Sequence, residues 1–386
     1  MSKIKVCMLA RYEPNSKHNG MGMHIRKITE YLSYRADIEL HIITFGNKNR
    51  QFKKGNLNVH TLKDTSLLPF PFSIPFSVWH LRRKTIELNP DIVHAEGTST
   101  PYSTAAALLR HRYPTLVTAL VILTQQIKFY RGMNYIFAKL VNVPNARYVI
   151  SKIPNIIAQS WYTKNVFSKM TNSKIYVVPG EGIDFGKIQD TQPHDINEKI
   201  SIFIAVRLGI VKGIDILINA IPGVIKSVPD LKVYIAGAGE EEEKLKSMTK
   251  DLGLESHVRF LGFIYDEEQV NRYYKTCEIV VVPSRLDVEP FAPLNAAASG
   301  KPAIVSDKCD SSVIEDGKTG FIFKSEDVDE LSGKIVKLLT DGKLRKEMGK
   351  AAMEKAKEYD WARTVDKKVE IYKEVIADFY ERRCNK

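Results

Sequence analysis

Arg207 and Lys212 are the two cations of Val206-Arg207-Leu208-Gly209-Ile210-Val211-Lys212-Gly213, a stretch that follows an apolar, strand-like run and opens a helix-like pattern. Cations placed where a strand ends and a helix begins join the backbone N–H donors and positive dipole end of that helix, an arrangement suited to anions. An arginine grips phosphate oxygens bidentately, whereas a lysine acts as a point charge. The pair can therefore cradle a diphosphate and stabilise the charge that grows on it as it leaves. Surface cations at loop ends are also common for no chemical reason, and that reading stays open on these residues alone.

A second dense segment runs from Pro283 to Pro302 and carries Asp287 and Glu289 in a loop, then Phe291, Ala292 and Asn295 at the start of a small-residue helix. Carboxylates in that place can hold sugar or ribose hydroxyls, or can merely be solvated or cap the helix. Gly20 and Gly22, in Asn19-Gly20-Met21-Gly22-Met23-His24, let phosphates approach the backbone after the first strand. The loop lacks the full dinucleotide fingerprint with its downstream ribose-binding acid, which disfavours a nicotinamide enzyme. Gly237-Ala238-Gly239 precedes Glu240 to Glu243, whose charges repel phosphate, so it reads as structural.

The elements that must hold these residues are legible from periodicity. Strand-like runs at Ile4–Leu9, Glu39–Thr44, Ile92–His94, Thr115–Leu120, Ile156–Gln159 and Ile175–Val178 alternate with helices near Met21–Tyr34 and Thr100–Leu109. The alternation restarts with strands at Ile200–Ala205, Val233–Ala236, Val258–Phe260, Ile279–Val282, Ala303–Val305 and Gly320–Phe323. Alternating strands and helices predict α/β architecture with parallel sheets. A length of 386 residues suits two domains. We expect Rossmann-like doubly wound domains at 1–185 and 186–365, facing a cleft, joined near the polar 180–199 stretch, with a terminal helix at about 366–386 packing back on the first. Ligands in such sheets bind at the carboxyl ends of the strands.

Composition narrows the classes. No apolar stretch reaches the roughly 20 residues a membrane-spanning helix needs, and Met1-Ser-Lys-Ile-Lys-Val lacks a signal-peptide layout. Cys7, Cys277, Cys309 and Cys384 have no metal-type spacing, which fits reduced thiols in a cytoplasmic protein. The net charge of +12 is uneven: residues 1–185 hold 25 Lys+Arg against 10 Asp+Glu, and residues 186–386 hold 32 against 35. An anionic partner of the first half, or a solvated basic face, explains the split. Apolar residues from Leu67 to Trp79 lie beside Arg82-Arg83-Lys84, and Lys48, Arg50, Lys53 and Lys54 form another basic group. Both suit either peripheral contact with an anionic membrane at its inner face or a core-packed helix entry with a solvated end. Nucleic acid is a poorer explanation, because no recognised nucleic-acid module accompanies the charge.

With these residues in view, the chain resembles retaining glycosyltransferase family 4, the group 1 type. The motifs, in family order, are Gly20 with His24, Pro90-Asp91-Ile-Val-His94, Gly182-Ile183-Asp184, Arg207-Leu208 with Lys212-Gly213, Pro283-Ser284-Arg285, Gly300-Lys301-Pro302 and Asp316-Gly-Lys-Thr-Gly-Phe321. The resemblance implies a GT-B fold, a nucleotide-sugar donor held mainly by the second domain, and a glycan, lipid or small-molecule acceptor on the first. It also implies retention at the anomeric carbon and no metal; the Asp-x-Asp at Asp327 and Asp329 looks like a helix start. Carried over, Arg207 and Lys212 hold the diphosphate, with Gly213 behind them, and Gly20 touches the phosphates from the other domain. Phe263 and Ile264 lie near the base, and the backbone of Phe291 and Ala292 approaches the phosphates.

Three departures stand out. The family's two glutamates, seven residues apart, align without a gap to Asp287 and Asn295, while Glu289 can take the first place only with a two-residue deletion. The segment Thr118-Ala-Leu-Val-Ile-Leu-Thr124 lacks the family's histidine near the donor sugar. Val206 replaces the glycine before Arg207. Phosphate-binding parts are intact and sugar-handling parts altered, which leaves a catalytically silent nucleotide-sugar-binding homologue or partner subunit as the alternative to a transferase. An epimerase or phosphorylase on the same fold is a third.

Overall fold

The computed structural model describes residues 3–13, 20–63, 73–98, 100–120, 123–130, 132–178, 182–195 and 200–384. Asn19, residues 67–72, Val121, Ile122, Gly180 and Glu181, all named above, lie outside them. Side chains of Met21, Leu123, Thr124 and Asn134 are likewise not described.

The chain forms two compact units, Met1–Pro179 with Trp361–Lys386, and Gly180–Asp360. These limits differ by several residues from 185/186 and 366. The physical reason is local packing. Ile183 and Ile188 are buried in the second unit's core, and the Ile183 amide donates to the Tyr359 carbonyl at 2.9 Å. Trp361 is buried at the head of the helix Trp361–Cys384, with the His24 ring edge-on at 5.7 Å.

In the first unit, strands β1 (Ile4–Leu9), β2 (Ile38–Gly46), β3 (Arg50–Lys54), β4 (Leu57–Lys63), β5 (Ile92–Glu96), β6 (Thr115–Ala119), β7 (Asn155–Ala158) and β8 (Lys174–Val177) form one sheet. Its order is β3-β4-β2-β1-β5-β6-β7-β8. Only the β3–β4 pairing is antiparallel; the others are parallel, and β5, β6 and β7 are buried along their whole length, as strands covered by helices on both faces must be. Sequence periodicity misses β3, because every one of its residues is exposed. Lys53 and Lys54 thus lie on an edge strand, where charge discourages pairing with another chain.

The second unit contains β9 (Ile202–Ala205), β10 (Val233–Ala236), β11 (Val258–Gly262), β12 (Ile279–Val282), β13 (Asp287–Val288), β14 (Ala303–Ser306), β15 (Cys309–Asp310) and β16 (Gly320–Phe323). Six of them make a parallel sheet in the order β11-β10-β9-β12-β14-β16, and β13 pairs with β15 in a separate ribbon. Numbered within the unit, that order is 3-2-1-4-5-6, the dinucleotide-fold arrangement whose direction reverses between β9 and β12. The reversal opens a crevice at the carboxyl ends of those two strands.

A buried polar cluster joins the terminal helix to the first sheet. Lys368 Nζ donates to Glu96 Oε1 at 2.9 Å, and both residues are almost wholly buried. His94 bonds Tyr372 Oη and Thr118 Oγ1, each at 2.7 Å. Burial lowers the His94 imidazole to about 4, and burial with the stacked His41 ring lowers His60 to about 4. The unfolded chain, with histidines near 6.5, therefore takes up these protons first. Stability contributed by the two neutral rings is complete above pH 6.5 and is lost as the pH falls from 6.5 to about 4. Thermal melts across that window should show a falling Tm, and a flat profile would contradict buried neutral rings.

Candidate functional site

The loops after β9 and β12 flank the reversal point and carry most of the residues singled out from sequence. The β9 strand ends at Ala205, and the chain continues beside β10 rather than leaving it. The Val206 amide donates to the Ala236 carbonyl at 2.9 Å, and the Leu208 amide to the Ala238 carbonyl at 3.0 Å. This close approach explains the glycines of the β10 loop. Gly237 has φ +137°, and a Cβ there would lie 1.8 Å from the Val206 carbonyl oxygen. Gly237-Ala238-Gly239 is thus a packing device, as the sequence suggested.

Arg207 projects from that stitched segment. Its side chain is 74% exposed, with Nη2 donating to Glu240 Oε2 at 3.0 Å. Sequence reasoning assigned Glu240 only a repulsive, structural part and missed this partner. Lys212 has a different environment: it is largely shielded, and its Nζ donates to Asp287 Oδ2 at 2.5 Å. The Ser284 hydroxyl donates to the same carboxylate oxygen at 3.1 Å. The structure therefore brings Lys212 and Asp287 together, and it holds Arg207 in a separate ion pair, turned outward. That outward pose departs from the shared grip expected of two neighbouring cations, and its partner is the Glu240 carboxylate in the turn before the helix Glu242–Asp251.

Gly213 makes the Lys212–Asp287 approach feasible. It sits at φ +65°, and a Cβ on it would fall 2.1 Å from the Pro283 carbonyl oxygen. Only glycine allows the left-handed turn and the backbone contact at once. Arg285 then staples the two loops. Its amide donates to the Val211 carbonyl at 2.7 Å, and Nη1 to the Ile210 carbonyl at 2.8 Å. Its guanidinium binds Asp215 bidentately at 2.8 and 2.7 Å and reaches Glu326 at 2.6 Å. Burial works against the Asp215 charge, yet Arg285 holds that carboxyl below its ordinary range. Fork-to-carboxylate pairs of this kind fix geometry as well as adding energy. The family motif drew notice to Arg285, but its partner lies 70 residues away, beyond the reach of local pattern.

Glu289 behaves differently from Asp287. It has φ +47°, is buried, and its Oε1 accepts the Ser312 amide at 3.0 Å. Its own amide donates to the Asp310 carbonyl at 2.7 Å, continuing the β13–β15 ribbon. Glu289 thus anchors the loop, while Asp287 is the acid beside the lysine. Phe291, Ala292 and Asn295 lie on the helix Phe291–Ala298, with Pro290 before its first turn. Phe263 and Ile264 follow β11, where Phe263 packs edge-on against Tyr265 at 4.9 Å. Gly20 and Gly22 open the helix Gly20–Ser33 of the first unit. No helix among the described residues is long and apolar enough to cross a membrane.

Comparison with known proteins gives the family and the fold. The family model for glycosyl transferases group 1 matches residues 186–355, and that for glycosyltransferase family 4 matches residues 18–184. An uncharacterised glycosyltransferase of Methanocaldococcus jannaschii is 24% identical over 380 residues, covering 96% of this chain and 99% of that one. Sucrose-phosphate synthase from Thermosynechococcus elongatus superposes with a TM-score of 0.82 at 16% identity, covering 97% of this chain and all of that one. Anabaena HepE in complex with UDP and glucose superposes with a TM-score of 0.72 at 17% identity, over 96% and 100% of the two chains. These likenesses give the fold as GT-B, with two α/β units built on parallel sheets. The two family models, in this order along the chain, make it a glycosyltransferase of family 4, group 1 type.

Proposed function

We propose that the chain moves a sugar from a nucleotide-diphosphate donor to a hydroxyl acceptor, retaining the anomeric configuration and using side-chain cations in place of a metal. The observation that carries this reading is the Lys212–Asp287 pair with Arg207 nearby in sequence, on loops that flank the β9/β12 reversal. Lys212 supplies positive charge where the diphosphate departs, and Asp287 and the Ser284 hydroxyl hold its ammonium in place. Among the described residues Arg207 is tied by an exposed ion pair with Glu240, worth about 0–1 kcal/mol, so a pyrophosphate can displace Glu240 at small cost. The HepE structure, which holds UDP and glucose, supports a nucleotide-sugar donor. Phe263 and Ile264 serve the base, the Phe291 and Ala292 backbone serves the phosphates, and Asn295 offers an amide to the ribose.

The acceptor hydroxyl attacks on the face the diphosphate leaves, and the departing phosphate oxygen takes its proton. The acceptor is a glycan, lipid or small molecule. The cation excess of the first half fits a cytoplasmic protein resting peripherally on an anionic membrane. Asn295 in an acid's place, and the histidine-free 118–124 segment, favour a second reading, a silent nucleotide-sugar-binding subunit.

Calorimetric titration with a panel of nucleoside diphosphates, together with donor hydrolysis and transfer assays, separates the two. Arg207→Ala is expected to lower turnover by ~10²-fold, the scale of losing one charge-stabilising donor. Near-normal turnover in that variant refutes its assigned role, and tight binding with no reaction on any donor supports the silent subunit.

A further inference from the structure

One long span of the first unit has cations and lacks acids. Residues 97–180 contain ten Lys+Arg and no Asp or Glu at all. Within this span the helix Gly132–Phe137, a π-helical turn Ala138–Asn142 and the helix Val143–Lys152 run consecutively. Their inward residues are small or aliphatic: Ala138, Ala146, Val149 and Ile150 are buried. Their outward residues include Met133 (77% exposed), Ile136 and Leu140 (69% exposed), interleaved with Lys139, Arg147 and Lys152. Lys139 Nζ lies 5.6 Å from the centre of the Tyr135 ring.

An outward helical face that only has to be wetted carries mixed charges and few large apolar groups. This one joins apolar side chains to cations with no balancing acid, the composition of a segment that lies in a membrane interface. Its neighbours extend the character. The helix Val143–Lys152 packs on the helix Tyr102–Leu109, which packs on the helix Ile74–Leu88. On the last of these Phe76 and Trp79 are exposed, and the Arg83 guanidinium stacks over Trp79 at 5.4 Å.

We infer that the outward face of residues 132–152 is where this protein docks on a bilayer rich in anionic phospholipid, with Met133, Ile136 and Leu140 entering the acyl boundary and Lys139, Arg147 and Lys152 meeting the headgroups. The inference names the surface for the membrane contact proposed above and rests on that reading. Charge complementarity selects the occupant: a zwitterionic surface or a second copy of this basic face offers the cations no partner.

The test is sedimentation of the full chain with vesicles of phosphatidylcholine alone or with one-third phosphatidylglycerol, at low and at high salt. The wild type is expected to pellet with the anionic vesicles at low salt, to be released by salt, and to ignore the neutral ones. The triple variant Met133→Ser/Ile136→Ser/Leu140→Ser is expected to lose roughly tenfold or more in vesicle partition, because apolar burial and charge act together. All three positions are exposed, so circular dichroism and nucleotide binding should match the wild type. Wild-type binding with an unaffected triple variant overturns this surface and leaves membrane contact standing, and a Phe76→Ser/Trp79→Ser variant then locates it. No wild-type binding to anionic vesicles overturns both. Self-association in solution that the triple variant abolishes, without vesicle binding, assigns the face to a second copy instead.

Discussion

Lys212→Ala is expected to lower kcat/KM by about 10²- to 10³-fold, the loss seen when one preorganised donor to a developing anion is removed. The reasoning is geometric before it is electrostatic. Lys212 reaches its position because Gly213 turns left-handed against the Pro283 carbonyl. It is kept there by Asp287 and, through the same oxygen, by Ser284. A shielded ammonium with a fixed direction costs little to reorganise when charge grows on a phosphate oxygen, so its effect falls on the chemical step. Most of the loss should appear in kcat at saturating donor, with a smaller rise in KM. Lys212→Arg should not restore full activity, because the longer planar fork does not fit a site built around a point charge. Following nucleoside diphosphate release with each variant checks both expectations. Unchanged kcat in Lys212→Ala would remove the lysine from the chemistry.

Strand positions were legible wherever a strand is buried on both faces. Val233–Ala236, Ile279–Val282 and Gly320–Phe323 stand in the sequence as short apolar runs with the bounds the structure gives them. Elements without an apolar signal were not legible: Arg50–Lys54 is a wholly exposed edge strand, and the helices between β6 and β7 carry apolar residues outward as well as inward. At the site, the residue types were readable because strand ends and glycines mark loops where ligands approach. Their pairings were not. Lys212 finds Asp287 75 residues away, and Arg207 finds Glu240 at 33; only the sheet order 3-2-1-4-5-6 brings such loops side by side. The different surroundings of Asp287 and Glu289 likewise needed the backbone, since the buried Glu289 takes the Ser312 amide and Asp287 takes the lysine.

Lys368→Met is expected to destabilise the protein by about 3–5 kcal/mol, the cost of leaving the opposite charge buried without its cationic partner. Glu96 is the charge in question. Burial pushes its carboxyl upward, yet Lys368, with His94 and His24, holds it well below the ordinary range. Burial already weighs most heavily on Glu96, and removing the ammonium takes away the largest opposing influence, so Glu96 must take up a proton or draw in water. The double variant Lys368→Met/Glu96→Gln discards both charges and should recover much of the loss, since a buried ion pair is worth little over an apolar replacement of like volume. Lys368 belongs to the Trp361–Cys384 helix, and Glu96 ends β5. Loss of the pair should therefore loosen that helix first, exposing Trp361, which is buried beside His24. Urea unfolding followed by tryptophan fluorescence and by circular dichroism measures the effect in both variants. A double variant as unstable as Lys368→Met would show that the lysine acts through its aliphatic packing instead of its charge.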